Sequence, residues 1–218
     1  MPNPLHMNQL HCISGLGADE RVFSKLRIPE AVFTPLQWIQ PQKKERIEAY
    51  ARRMIGQVHT EHPIFLGVSF GGMMAIEMAK LCPGAKVILV SSVKSREELP
   101  GWMRMAGILG LNKLLPRTPP RWDRLESEFL GTETEEERLL VREFMKTADP
   151  VYLRWAIGQV INWRNEWQPS SLHHIHGTND HTFPLKNIKA TNIVPGGGHF
   201  MVMNRAKEVS EIIRSILH

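Results

Sequence analysis

Cysteine, long apolar runs and repeats are scarce in this sequence. Only Cys12 and Cys82 occur among 218 residues. Cys12 falls in a stretch that reads as a buried strand and Cys82 at a helix end, so two structural thiols are expected rather than a disulfide. That usage fits a reducing, cytoplasmic setting. The longest apolar run is far too short for a membrane-spanning helix. The N-terminal residues Met1 to His6 lack the charged-then-apolar order of a secretory signal. There is no internal repeat and no low-complexity tract, and the length fits one domain with an inserted lobe. The formal net charge is +5, but its basic residues are dispersed. Lys43, Lys44 and Arg46 stand near one helix start, Arg52 and Arg53 lie within that helix, and Lys186 and Lys189 are far away. No basic stripe interleaves with aromatics, so nucleic acid is not an expected partner.

What is present is an alternation of strands and helices. Gln9 to Ile13 reads as a first strand, followed by the turn Ser14-Gly15-Leu16-Gly17 and a short helix capped by Asp19. Phe33 to Ile39 reads as a second strand. Ile47, Tyr50, Ala51, Met54, Ile55 and Val58 recur at helical spacing and predict a helix over 44–59. Ile64 to Val68 is the third strand, and Lys86 to Ser91 the fourth, a continuous apolar run suited to burial on both faces. The alternation stops from 95 to 169. That stretch reads as helical, is broken at Pro116, Pro119-Pro120 and Asp149-Pro150, and holds Trp102, Trp122, Trp155, Trp163 and Trp167. Strands resume at Ser171 to His176 and Ala190 to Val194, and a last helix spans Ala206 to Leu217. The pattern predicts an α/β fold: a mostly parallel sheet of about six strands, helices on both faces, and a helical lid inserted after the fourth strand. In that division 1–94 and 170–218 form the core and 95–169 the lid.

The most informative segment is Gly67-Val68-Ser69-Phe70-Gly71-Gly72. A serine at G-x-S-x-G spacing, after a strand and before a helix, is the pattern of a nucleophile elbow. The turn must be sharp, and a side chain two residues before or after the serine would collide with neighbouring backbone; glycine at 67 and 71 removes that collision. A serine hydroxyl needs a histidine to take its proton and an acid to orient that histidine. His199 follows Gly196-Gly197-Gly198 after the last short strand, where a triple glycine can bend the chain over the sheet edge. Asp180, in His176-Gly177-Thr178-Asn179-Asp180, stands at a strand end between serine and histidine in chain order; Glu97 and Glu98 are the fallback acids. Two backbone N–H groups are needed for an oxyanion. Phe70 supplies one, and Leu16 is nominated for the other, with Gly15 and Gly17 as rivals.

GVSFGG, HGTND and GGGHF, in that order over nearly the whole length, resemble the alpha/beta-hydrolase superfamily. The resemblance implies an eight-stranded core in full-length members and a cap inserted before the acid-bearing strand. This sequence departs from it by beginning at what is usually the third strand, without the leading antiparallel pair. It also has a short Asp180–His199 connection and Ser-Gly-Leu-Gly where many members have His-Gly. The first departure bears on edge stability, and a homodimer is carried as a candidate assembly.

Other signals are set aside. Gly15-Leu16-Gly17 resembles the start of a dinucleotide fingerprint, but Glu20 replaces the third glycine and no acid ends the second strand, so no cofactor is expected. In a strand only His174 and His176 of His173-His174-Ile175-His176 share a face, with no carboxylate to complete a metal set. They read as strand-end histidines, His176 shaping the acid loop. The lid tryptophans, Met103 and Met105 either dock the lid or line an apolar pocket; Trp102 and Met103 are the nominated substrate contacts. The expected function is a serine hydrolase acting on a small acyl compound, an ester first, with thioester, lactone or amide as variants. The alternatives are a non-catalytic small-molecule binder on the same fold, and carbon–carbon cleavage or perhydrolysis on the same triad.

Overall fold

The structure, a computed structural model, describes residues 7–110 and 129–218. Met1 to His6, Pro116, Pro119-Pro120 and Trp122 lie outside the described residues. Six parallel strands form one sheet in the order β2-β1-β3-β4-β5-β6. They are β1 Asn8–Ile13, β2 Ala31–Pro35, β3 Ile64–Val68, β4 Lys86–Val90, β5 Ser171–Gly177 and β6 Asn192–Val194. Helices α1 Ile47–Met54 and α2 Phe70–Ala79 connect strands on one side. Between β4 and β5 come α3 Gly101–Ile108, α4 Glu135–Thr147 and α5 Pro150–Asn162, and no strand occurs in that segment among the described residues. The short α6 Met201–Asn204 and α7 Ala206–Leu217 close the chain. No helix among the described residues is long and apolar enough to cross a membrane.

The side-chain period of a strand sorts the core into two layers. Phe65, Val87 and Leu89 join α1 and α2 in one buried cluster. Leu66, Val68, Ile88 and Val90 join Val209 and Ile213 of α7 in the other. Every residue of α2 is buried, Glu77 included, and apart from that carboxylate the helix is apolar all round. Each large side chain so covered contributes roughly 1.5–3 kcal/mol. The inserted helices serve both layers: Tyr152, Leu153 and Ala156 of α5 belong to the first, and Val141 and Phe144 of α4 to the second. Cys12 and Cys82 are both free thiols.

The last short strand spans Asn192–Val194 rather than starting at Ala190, and two further predicted elements are shorter than their sequence pattern. The second strand ends at Pro35, not Ile39. Both backbone polar groups of Ile39 are taken by Tyr50: its N–H donates to the hydroxyl at 2.8 Å, and the hydroxyl donates to its carbonyl at 2.6 Å. The apolar residues after Pro35 therefore leave the sheet and carry Trp38 inward. The first long helix spans Ile47–Met54 rather than 44–59. Lys44 has φ +58°, which an α-helix cannot include, and the chain tightens into a 3₁₀ turn over Ile55–Gln57.

Candidate active site

All six strands run the same way, so the loops after β1, β3, β5 and β6 emerge at one edge, where ligands bind in such sheets. At that edge β3 passes into α2 through Ser69, whose φ of 53° and ψ of −119° lie outside the regions ordinary side chains favour. The packing shows why glycine flanks it. A Cβ on Gly67 would stand 2.5 Å from the Gly71 carbonyl oxygen, and one on Gly71 would stand 2.1 Å from that of Ile13. The elbow is further tied down by the Ser69 N–H donating to the Val90 carbonyl at 3.0 Å and by the Ser92 hydroxyl donating to the Ser69 carbonyl at 2.7 Å.

The structure brings the three predicted residues into one hydrogen-bonded line. His199 Nε2 is 2.9 Å from Ser69 Oγ, and His199 Nδ1 is 2.9 Å from Asp180 Oδ2. With Asp180 ionised, Nδ1 carries the proton and donates it, which leaves Nε2 to accept from the serine hydroxyl. Asp180 and His199 are buried and Ser69 is half-buried, so the line is open to a small molecule at the serine end. Burial acts to raise the Asp180 pKa, but the His199 charge and hydrogen bond, His176 and the Phe183 N–H together hold it below the ordinary value. The remaining Asp180 oxygen, Oδ1, accepts from the Phe183 N–H at 2.8 Å. The Phe183 ring meets His199 edge-on, centroids 5.4 Å apart.

The acid and histidine loops are laced to each other. Thr178 N–H donates to the Val194 carbonyl at 3.2 Å, Asn179 N–H to that of Gly197 at 2.9 Å, and Gly196 N–H to Thr178 Oγ1 at 2.8 Å. The fallback acids are elsewhere. Glu98 is buried, its two oxygens accepting the backbone N–H groups of Lys94 at 2.9 Å and Lys189 at 3.0 Å, while Glu97 is exposed.

Phe70 opens α2, and the first N–H groups of a helix have no partner within it. Among the described residues, neither the Phe70 nor the Leu16 N–H meets a protein acceptor. The loop holding Leu16 lies over the serine: a Cβ on Gly15 would stand 3.5 Å from that of Ser69. Ser14 fixes this loop, donating to the Ala18 carbonyl at 2.7 Å and accepting from Trp38 Nε1 at 2.9 Å.

The nominated substrate contacts fare unequally. Trp102 is 61% exposed and Met103 is buried in the core. The aromatic ring against the elbow is Trp38, which stacks on Phe70 at 5.3 Å and meets Tyr152 at 5.2 Å. Trp155 sits edge-on to Phe70 at 6.0 Å. Trp163 instead docks the insertion, its Nε1 donating to the buried Glu77 at 2.8 Å. The sequence reading missed Trp38, which it placed inside the second strand; the structure puts it past the strand's end at Pro35. Among the described residues no group of three or more His, Cys, Asp or Glu side chains is placed to hold a metal.

A strained serine between a parallel strand and a helix, with a histidine and a carboxylate delivered by later strands, defines a hydrolase-type α/β fold. The sequence model described as the alpha/beta hydrolase family matches residues 30–212, and the chain belongs to that family. No curated protein matches the chain. Among solved structures, a thermophilic esterase from Thermogutta terrifontis superposes with TM-score 0.75 at 16% identity, covering 96% of this chain and 89% of its own. A bromoperoxidase from Bacillus anthracis gives TM-score 0.67 at 16% identity over 97% and 92%. An N-acyl homoserine lactonase complexed with N-hexanoyl homoserine gives 0.67 at 16% over 96% and 88%. At such identity these likenesses establish the shared fold.

Proposed function

We propose that this protein is a serine hydrolase of small esters or related acyl compounds. The observation that carries the reading is the continuous Asp180–His199–Ser69 hydrogen bonding, with both links at 2.9 Å. Ser69 Oγ attacks the substrate carbonyl carbon while its proton passes to His199 Nε2. The oxygen that becomes negative is held by the N–H groups of Phe70 and Leu16. His199 then gives its proton to the leaving oxygen, and the acyl group remains on Ser69. Water attacks the acyl-enzyme, its proton going to His199, and collapse frees the acid and restores the serine. Asp180 keeps the imidazole in the required tautomer and stabilises its charged form. The wall formed by Trp38, Phe70 and Tyr152 favours an apolar acyl portion, and α3, α4 and α5 act as the lid over it.

A fluorophosphonate probe is expected to label the folded protein at Ser69, read by peptide mass spectrometry. An ester panel of graded chain length is expected to be hydrolysed by the wild type and not by Ser69→Ala. A folded, unlabelled wild type overturns the mechanism. Labelling without turnover of any panel member points to a binding protein or a different acyl acceptor.

A further inference from the structure

His176 is the second-last residue of β5, its side chain wholly buried and out of reach of any substrate. Its Nε2 is 2.7 Å from the Phe183 carbonyl and 3.6 Å from Asp180 Oδ2. The carbonyl can only accept, so Nε2 carries the proton and Nδ1 is left as an acceptor. That Nδ1 has no hydrogen-bond partner. An unpaired buried acceptor costs stability, so packing alone does not call for a histidine at this position. The titratable groups around the ring are Asp180 and His199 on the site side, Glu98, and His174 on its own strand. The His174 ring meets that of His176 edge-on at 5.3 Å. Burial lowers the His176 pKa, and the neighbouring His199 adds to it, against the opposing pulls of Asp180, the bond to the Phe183 carbonyl and Glu98.

The one bond the ring makes is well placed. It fixes the Phe183 carbonyl, and Phe183 does two further things: its N–H donates to Asp180 Oδ1 and its ring packs edge-on against His199. We propose that His176 is a positioning residue that pins the Asp180–Phe183 turn, so that this turn sets the orientation of His199 from two sides. The inference rests on the reading of Ser69, His199 and Asp180 given above.

The decisive variant is His176→Phe, which removes the donor and the unpaired acceptor together and keeps a planar ring. It also leaves the Phe183 carbonyl without its donor, one unpaired acceptor exchanged for another, so its melting temperature is expected to stay near the wild-type value. Its kcat/KM on the best panel ester should fall roughly 100-fold, the scale of a misplaced catalytic group, through kcat with KM little changed. Fluorophosphonate labelling of Ser69 should slow by the same factor. His176→Gln, which retains an N–H able to reach a carbonyl, should recover most of the loss. A second readout uses the Ser69→Ala background and needs no turnover. There the His199 Nδ1 proton bonded to Asp180 should exchange with solvent faster in His176→Phe, as followed by proton NMR. That arm still reports on positioning if the protein proves not to hydrolyse esters. Unchanged labelling and unchanged proton exchange in a folded His176→Phe protein overturn the proposal. So does failure of both variants to fold, which assigns the ring a purely structural role.

Discussion

The loop that presents Ser69 and the loop that presents Asp180 lie at the same sheet edge but hold their groups by unlike means. Ser69 is held by backbone: a left-handed φ, glycines whose hydrogens touch neighbouring carbonyls, and the Ser92 hydroxyl on its carbonyl. Asp180 is held by buried polar side chains and one amide: His199, Phe183 N–H and, through Phe183, His176. A backbone device is insensitive to protonation and intolerant of added atoms. A side-chain network tolerates atoms better but depends on which groups carry protons.

The largest effect expected concerns the carboxylate. Asp180→Asn leaves the shape intact but disturbs the tautomer, and turnover should fall about 10⁴-fold, as in the best-studied triad. Ester hydrolysis by the folded variant checks it. Near-normal activity there, with loss in Glu97→Gln or Glu98→Gln, would move the acid to the wrong-looking loop after β4. On the elbow side, Gly71→Ala puts a methyl 2.1 Å from the Ile13 carbonyl oxygen and should destabilise the fold by about 3 kcal/mol, the upper end for overpacking. Urea unfolding measures this, and a wild-type midpoint would mean the elbow is not braced against β1.

Protonation should act on the polar side of the comparison. Burial pushes His174 from 6.5 down to about 3, and burial also lowers His176. The unfolded chain therefore binds these protons first, so stability is full above the unfolded value and falls as pH drops below it. His174 alone should lose about 2 kcal/mol by about pH 5, from a slope near 1.36 kcal/mol per pH unit. Melting temperature against pH, with His174→Phe as control, tests the sign; a variant with the same acid sensitivity as wild type refutes it. The smallest effect lies outside both loops. Trp163→Phe removes one donor from buried Glu77 and should cost about 1 kcal/mol while sparing kcat. A large kcat loss would show that docking of the insertion reaches the site.

The same contrast explains what could be read from the chain. The elbow was legible because its requirements are local: a strand, a glycine two residues before the serine, another two after, and a buried helix. β3 and α7 were legible for the same reason, since each follows a simple apolar period. The end of β2 was not, because Ile39 leaves the ladder for a hydroxyl eleven residues away, and no local pattern encodes that choice. The carboxylate that meets His199 was expected as one of three. The choice between Asp180 and Glu98 turns on which backbone amides Glu98 already satisfies, a contact spanning Lys94 to Lys189. Composition pointed to the tryptophan-rich insertion for aromatic contacts. Yet the indole stacked on Phe70 is Trp38 from the core, while Trp102 faces solvent.

The strained turn at Ser69 has a consequence for chemistry as well as for folding. Nothing that fixes its backbone involves the Ser69 hydroxyl itself; the brace is made of amides, carbonyls, missing methyl groups and the Ser92 hydroxyl. Position 69 is therefore a mount, independent of what is mounted. A thiol placed there would face the same imidazole, so Ser69→Cys should yield a protein with native stability and a new reactivity toward alkylating reagents.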